Sequence, residues 1–191
     1  MKTAHPLMSV TGGLEGAVLE VLAGTTAPLG LGDVHRLVAL ASKSGVRKAL
    51  LRLVANGIVD IVPGGYVLNR EHLAAPAIVE LAGLRRTLFD RITAEIRAWK
   101  TRVLLAGVFG SAARGDGDAH SDIDLLVVAD RLPEGVLGDL ANRVQRWTGN
   151  ECHVVVLTRK ELDHAKKKRE PVVDSWRRDL VVLLGDRSLL G

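Results

Sequence analysis

Apolar residues in the N-terminal third of the chain recur at helical spacing in three segments. The first covers about residues 14–22, and it is expected to stop at Gly24. A second, shorter helix is predicted from about Leu31 to Leu40. A third is predicted from about Ser44 to Asn56, where Gly57 follows. The pattern therefore predicts a compact helical start to the chain.

The third predicted helix has an apolar face and a basic face. Positions i, i+3, i+4, i+7 and i+8 form one apolar stripe, which consists of Val46, Ala49, Leu50, Leu53 and Val54. The opposite face carries polar and basic residues, namely Ser44, Arg47, Lys48 and Arg52, with Lys43 just before them. Beyond this helix, the runs IVDIV and YVLN flank Pro63-Gly64-Gly65, which predicts two short strands joined by a turn.

This order of elements over residues 13–70 resembles the winged helix-turn-helix family. The resemblance implies a recognition helix in the major groove of double-stranded DNA, a hairpin wing near the backbone, and a homodimer that reads paired half-sites. The candidate DNA-binding residues are Lys43, Ser44, Arg47, Lys48 and Arg52. Residues 1–70 hold seven Lys and Arg against four Asp and Glu, whereas residues 101–191 hold fourteen of each, so the basic excess lies in the first part. We expect a DNA-binding domain over residues 1–72.

The pattern changes after Pro76. Apolar residues recur at threes and fours as far as Ile96, which predicts one connector helix over about residues 77–99 that packs beneath a sheet. From residue 101 onward, short apolar runs predict three strands, RVLLAGVF, IDLLVV and HVVVL. The segment PEGVLGDLANRVQRW predicts a helix between the second strand and the third.

Two further helices are predicted near the C-terminus. Thr158 and Glu161 have the spacing of a capping box and should begin the first of them. The second is expected from about Val172 to Leu184. Together these elements predict an α+β chain in which a winged helix-turn-helix precedes a small mixed-sheet domain over residues 73–191.

The stretch GVFGSAARGDGDAHSDIDLLVV carries the candidate chemistry. Asp122 and Asp124 stand at the start of a strand, where residues i and i+2 point to the same face. Two adjacent carboxylates are costly unless a cation lies between them, and Mg²⁺ accepts such oxygen ligands together with substrate phosphates. Gly110-Ser111 offers backbone N–H groups and a hydroxyl to a phosphate. The stretch therefore predicts a nucleoside triphosphate site that uses Mg²⁺ or Mn²⁺.

The same residues resemble the nucleotidyltransferase superfamily of the DNA polymerase β type, especially its minimal members and the kanamycin nucleotidyltransferases. The family pattern of Gly-Ser, Ala-Arg-Gly and Ser-Asp-x-Asp-Leu is met by Gly110-Ser111, by residues 113–115 and by residues 121–125. The resemblance covers about residues 77–191. It implies that Asp122 and Asp124 hold metal, that the Gly-Ser turn holds the β- and γ-phosphates, and that a nucleoside monophosphate is transferred with release of pyrophosphate.

Two residues inside the pattern are further candidates for nucleotide binding. Ser121 precedes the first Asp of the pair, and Arg114 belongs to the Ala-Arg-Gly element. Two roles stay open for Arg114, because its guanidinium could steady phosphate charge or simply solvate the loop.

The family pattern also requires a third carboxylate on the neighbouring strand, and here His153 stands in its place. Glu151 lies two residues earlier and shares its face. Imidazole is a poor ligand for Mg²⁺, so a second metal would lack its anchor. Three interpretations stay open: catalysis has been lost, His153 is a general base, or Glu151 reaches into the site. Cys152 should point to the opposite face, into the core.

Composition indicates which cellular compartment the protein is expected to occupy. The only cysteine, Cys152, excludes an internal disulfide and fits a reducing compartment. No apolar run is long enough for a membrane helix, and the N-terminus shows no signal-peptide pattern, so a cytoplasmic location without a membrane partner is expected.

Two functional hypotheses follow. The first is an enzyme that transfers a nucleoside monophosphate from a nucleoside triphosphate and is coupled to a DNA-binding winged helix. The second is a DNA-binding regulator or antitoxin-like protein whose nucleotidyltransferase fold is catalytically impaired. The intact Gly-Ser and Asp pair favour the first hypothesis, whereas the winged helix and His153 favour the second.

Overall fold

The computed structural model describes residues 1–3, 5–38, 41–118 and 120–191, which form two compact units. The first unit is His5–Leu84. The second is Arg85–Gly191, joined by residues 1–3. Apolar clusters are buried within each unit, and helices are combined with a mixed sheet, in agreement with the predicted α+β class.

The first unit contains helices and one β-hairpin. Its helices are α1 (Pro6–Thr11), α2 (Gly13–Ala23), α3 (Leu31–Val38), α4 (Lys43–Ala55) and α5 (Ala75–Ala82), and its strands are β1 (Val59–Val62) and β2 (Gly65–Leu68). The three predicted helices and the hairpin are present, whereas α1 was not predicted. The predicted end of the second helix at Leu40 lies outside the described residues.

Helix α4 begins one residue earlier than the sequence pattern predicted, at Lys43. The side chain of Ser42 caps it, because Ser42 Oγ accepts a hydrogen bond of 3.2 Å from the Gly45 N–H. The predicted apolar stripe faces the core of the unit: four of its residues are buried and Val54 is packed against them. Burial of this stripe fixes which face of α4 turns outward.

The hairpin is extended by a third segment of chain. Strands β1 and β2 pair antiparallel, with Val59 opposite Leu68. Leu29, in the connection between α2 and α3, forms an isolated bridge with Tyr66 through two backbone hydrogen bonds of 3.0 and 2.9 Å. The hairpin is therefore tied to the helices by backbone as well as by side chains.

The periodic segment after Pro76 is two helices rather than the single predicted connector. Helix α5 ends at Ala82, and the N–H of Gly83 closes its last turn on the carbonyls of Val79 and Glu80. Helix α6 then runs over Leu84–Ala98. A glycine weakens a helix interior, and a capping position suits it better, which accounts for the break. As predicted, α6 packs its buried apolar residues with those of the sheet in the second unit.

The second unit is built on a four-stranded sheet in the order β5-β4-β3-β6. Its strands are β3 (Leu105–Phe109), β4 (Ile123–Val128), β5 (Cys152–Leu157) and β6 (Val181–Gly185). Strands β4 and β5 are parallel, and the other pairs are antiparallel. Its remaining helices are α7 (Gly110–Arg114), α8 (Val136–Thr148), α9 (Arg159–Lys168), α10 (Pro171–Asp179) and a final 3₁₀ turn (Arg187–Leu190).

The predicted last helix, from Val172 to Leu184, is wrong in its second half. Helix α10 ends at Asp179, and the run VVLLG forms β6 against β3. A short apolar run rich in valine and leucine fits a buried strand as well as a buried helix, so the pattern alone could not decide. The predicted capping box of Thr158 and Glu161 is confirmed at the start of α9.

Each face of the sheet is covered by helices. One face packs with α6 and α8, and it includes Ile123, Leu125 and Val127 of β4. The other face packs with α9 and α10, and it includes Leu126 and Val128. Because side chains alternate along a strand, Asp122 and Asp124 belong to the second of these faces.

No helix in the described residues has the length and apolar character needed to cross a bilayer.

Candidate nucleotide-binding site

The sheet brings the Gly-Ser turn against the Asp pair. Phe109, the last residue of β3, is paired with Asp124 of β4, and Gly110 follows at once. Gly110 has φ +70°, and a Cβ built there would lie 2.5 Å from Asp124 Oδ2. Only glycine combines this backbone conformation with such close approach of a carboxylate.

The parallel pairing of β4 and β5 adds His153 to the same place. Asp124 and His153 are register partners. His153 Nδ1 lies 3.7 Å from Asp122 Oδ2 and 4.0 Å from Asp124 Oδ1. Glu151 Oε2 lies 3.8 Å from His153 Nε2, on the outer side of the group. The structure thus gathers all four residues predicted as catalytic.

The exposed fraction of the side chain increases across this group from Asp124 to Glu151. The side chain of Asp124 is 30% exposed, that of His153 is 58% exposed and that of Glu151 is 71% exposed. Burial raises the pKa of Asp124, and the neighbouring carboxylate of Asp122 raises it further, while His153 and Arg114 oppose the change. A cation held at Asp124 would offset the cost of its burial.

Two carboxylates fit one divalent metal ion but not two. In the described part of the chain, no group of three or more His, Cys, Asp and Glu side chains is arranged to hold a metal ion. A Mg²⁺ ion that arrives with a nucleotide requires only one or two carboxylates, because phosphates and waters complete its shell. Asp122 and Asp124 meet that requirement, whereas His153 does not supply the carboxylate for a second ion.

Arg114 lies at the end of α7 and is held by two carboxylates. Its Nε is 3.0 Å from Asp116 Oδ2, and its Nη1 is 3.3 Å from Asp179 Oδ2. These partners, Asp116 first, raise the pKa of Arg114. Arg178 binds the same Asp179 carboxylate with its Nε, 2.8 Å from Oδ1. The structure places Arg114 in this ion-pair network beside the turn, and both roles predicted for it stay open.

Asp179 is a partner of Arg114 that the sequence did not reveal. Its side chain is only 6% exposed, and it joins two guanidinium groups at the end of α10. Hydrogen bonds from Arg178 and then the charges of the arginines lower the pKa of Asp179. The contact of Asp179 with Arg114 was not predicted because the predicted helix continued past this position to Leu184.

Ser121 orders the loop that precedes Asp122. Its Oγ donates to Asp118 Oδ1 at 2.9 Å and accepts the Asp118 N–H at 2.9 Å. The side-chain amide of Asn150 donates to the Ser121 carbonyl at 2.9 Å. Ser121 therefore stands next to the Asp pair, with its hydroxyl turned to the loop.

Cys152 packs into the core on the opposite face, as predicted. Burial raises the pKa of its thiol to about 12, so the thiolate is scarce at neutral pH. A nucleophilic role for this cysteine is thereby disfavoured.

In the first unit, the residues predicted to contact DNA are exposed along α4: Lys43, Ser44, Arg47, Lys48 and Arg52. Arg52 is engaged, because its Nη2 lies 2.7 Å from Glu15 Oε1 of α2. Lys43, Arg47 and Lys48 thus carry most of the basic character of this face.

The comparisons with known proteins concern the second unit. Residues 91–183, from α6 to β6, match the family model of the nucleotidyltransferase domain. This segment has the nucleotidyltransferase fold. The matched segment includes the Gly-Ser turn, the Asp pair and His153. No curated protein matches the chain significantly.

Several solved structures are similar to about half of this chain. A toxin-antitoxin with AMP-PNP is 21% identical, covers 52% of this chain and 75% of that chain, and has a TM-score of 0.41. The tri-AMPylated Shewanella oneidensis HEPN toxin in complex with MNT antitoxin is 18% identical, covers 54% of this chain and 74% of that chain, and has a TM-score of 0.37. The toxin-antitoxin MntA-HepT gives 17% identity, the same two coverages and a TM-score of 0.37.

Proposed function

We propose that this protein binds a nucleoside triphosphate with Mg²⁺ or Mn²⁺ in its nucleotidyltransferase domain and transfers the nucleoside monophosphate to an acceptor hydroxyl. The observation that carries the proposal is the fit of Gly110 against Asp124 beside Asp122. A turn that only connects two elements does not require a half-buried carboxylate so close to its backbone. A site that binds a metal ion and a triphosphate does require one.

Each residue has a defined part in this reaction. Asp122 and Asp124 would hold the metal, and Gly110 and Ser111 would bind the β- and γ-phosphates through backbone N–H groups and the Ser111 hydroxyl. The metal, when bound, would neutralise phosphate charge. The acceptor oxygen forms a bond to the α-phosphorus and its proton passes to water, while the bond between the α-phosphorus and the oxygen that bridges to the β-phosphate breaks and pyrophosphate leaves with the electron pair. Arg114 lies next to the turn, in its ion pairs with Asp116 and Asp179.

The first unit is proposed to be a winged helix-turn-helix that binds duplex DNA. The exposed basic face of α4 supports this role, and so does the hairpin tied to Leu29. Lys43, Arg47 and Lys48 would contact phosphates or base edges. We expect a homodimer because proteins of this type commonly read paired half-sites, and light scattering at micromolar concentration tests it.

A second candidate function is a DNA-binding regulator that binds nucleotide but transfers it poorly. His153 favours this candidate, because it occupies the register position opposite Asp124 where a third carboxylate would anchor a second metal. Both candidates share the nucleotide site and differ only in turnover.

One experiment separates the two candidates and tests their common basis. Binding of ATP and GTP is measured by calorimetry with and without Mg²⁺ or Mn²⁺, and transfer is followed with labelled nucleoside triphosphates. Metal-dependent binding with transfer supports the enzyme, and metal-dependent binding without transfer supports the regulator. Absence of metal-dependent binding contradicts both.

A further inference from the structure

Arg85, at the start of α6, is bound to the short helix that carries the Gly-Ser turn. Its Nε and Nη2 donate to the carbonyl of Ala112 at 3.2 and 3.0 Å, and its Nη2 donates to the carbonyl of Ala113 at 2.6 Å. The guanidinium carbon lies 5.1 Å from the ring centroid of Phe89. In the described residues, no carboxylate forms an ion pair with Arg85, so backbone carbonyls are its main polar partners.

These hydrogen bonds occupy acceptors that α7 cannot satisfy alone. The helix has five residues, and the N–H groups of Gly115 and Asp116 both go to the Ser111 carbonyl. Carbonyls in the last turn of a helix need partners from outside, and a cation suits that end of the helix dipole. Arg85 supplies donors and charge together.

The side chains of α7 hold it from another direction. Ala112 is fully buried and Ala113 nearly so, and both pack in the core between the sheet and α6. Apolar contacts thus hold one side of helix α7 against the core, and the hydrogen bonds from Arg85 hold its C-terminal end. Its N-terminal end is the Gly110-Ser111 turn, which rests on Asp124.

We propose that Arg85 is a positioning residue for the phosphate-binding turn: by holding the Ala112 and Ala113 carbonyls, it fixes Gly110 and Ser111 at the place where a triphosphate is received. This inference rests on the proposed function of the site. Arg85 lies before the segment that matches the nucleotidyltransferase family model, which begins at residue 91.

The role requires a guanidinium rather than a charge alone. Arginine presents several N–H donors in a planar fork, so one side chain can reach two adjacent carbonyls at once. Lysine has a compact ammonium that cannot reproduce the bidentate contact with Ala112. Burial lowers the pKa of Arg85, yet an arginine stays charged at neutral pH.

The test compares Arg85→Met and Arg85→Lys with the control Arg86→Met. Arg86 is the next residue on the same helix, and its side chain is 90% exposed. The probes are the Mg²⁺ complexes of ATP and of inorganic tripolyphosphate, measured by calorimetry well below the melting temperature of each variant. Hydrogen exchange of residues 109–116 is followed in parallel without any nucleotide.

We expect Arg85→Met to weaken the binding of both probes by about tenfold or more, since a displaced turn loses its alignment with phosphate. Arg85→Lys should be intermediate, and Arg86→Met should match the unaltered protein. Exchange across residues 109–116 should be clearly faster in Arg85→Met, faster to a smaller extent in Arg85→Lys, and unchanged in Arg86→Met.

Three outcomes overturn the inference: unchanged exchange of the turn in Arg85→Met, unchanged binding in a folded Arg85→Met, or equal effects of Arg85→Met and Arg86→Met. If Arg85→Met does not fold, Arg85→Lys decides by the same criteria. An unaltered protein that binds neither probe contradicts the proposed function instead, while the exchange result still decides whether Arg85 orders the turn.

Discussion

Asp124 Oδ2 lies 2.5 Å from the point that a Cβ on Gly110 would occupy. The backbone of the turn and the carboxylate of the neighbouring strand are therefore in direct contact, and no other residue type fits between them. In the proposed function, this contact places the phosphate donors and a metal ligand side by side. A displacement of the Asp124 carboxylate would therefore change the geometry of the Gly110 turn, and a change in the turn would displace the carboxylate.

Replacement of Gly110 by Ala should push the Asp124 carboxylate away and weaken Mg²⁺–ATP binding by about tenfold or more. Gly115→Ala is the matched control, because Gly115 also has positive φ, at +78°, but has open space around its Cβ position. Both variants should lose about 1–2 kcal/mol of stability from left-handed backbone strain. Calorimetric binding that is equally impaired in both variants would assign the effect to strain rather than to the contact.

Asp179 should contribute to stability in a pH-dependent way. Its pKa is lowered by Arg178 and Arg114, so its contribution is fully present above the unfolded pKa of about 3.9 and is lost as the pH falls through the lower folded pKa. Asp179→Asn should therefore be less stable than the unaltered protein at pH 7, with a smaller difference near pH 3. Urea denaturation at both pH values measures this difference in the free energy of unfolding.

The control for Asp179 is Asp163→Asn, which removes a more exposed carboxylate paired with Arg159 on α9. A surface pair of this kind contributes little, so its difference should be small at both pH values. A destabilisation by Asp179→Asn that is the same at pH 7 and pH 3 would contradict the role assigned to its ionised form.

Much of this site could be predicted from the sequence because it depends on local spacing. The alternation of a strand places Asp122 and Asp124 on one face, and the next strand in a parallel pair places His153 beside them. Asp179 and β6 could not be predicted in the same way. Asp179 reaches Arg114 from 65 residues away in the chain, and β6 is a strand only because β3 offers it an edge.

Replacing Arg47, Lys48 and Arg52 together by Ala should weaken duplex DNA binding and lower the slope of log K against log salt by about two to three, as fewer counterions are released. Arg52→Ala alone should contribute least, because Arg52 is already paired with Glu15. Fluorescence anisotropy across a salt series measures it. Arg36→Ala, which removes an exposed cation on α3 paired with Asp33, serves as the control.

Equal affinity and an equal salt slope for the triple variant and the unaltered protein would refute DNA contact by this face of α4. A triple variant that loses affinity without a change of slope would also count against it, because loss of phosphate contacts must appear in the salt dependence.

His153→Asp should transfer nucleotide faster than the unaltered protein in the presence of Mg²⁺. Three carboxylates, from Asp122 just before β4, Asp124 on β4 and position 153 on β5, could anchor two metal ions, whereas two carboxylates and an imidazole hold the second poorly. Self-labelling with radioactive ATP is a suitable assay, and an increase of about tenfold is expected. Labelling by the unaltered protein that His153→Ala abolishes would show instead that His153 acts as a base.

The most direct test measures Mg²⁺-dependent ATP binding by calorimetry in the unaltered protein, Asp122→Asn, Asp124→Asn and the control Asp90→Asn, whose carboxylate is 74% exposed on α6. The unaltered protein and Asp90→Asn should bind ATP with Mg²⁺ and much more weakly with a chelator. Both site variants should remain folded and lose the metal-dependent part of the affinity. Unchanged Mg²⁺–ATP affinity in Asp122→Asn and Asp124→Asn would contradict the assignment of this pair as the metal–nucleotide site.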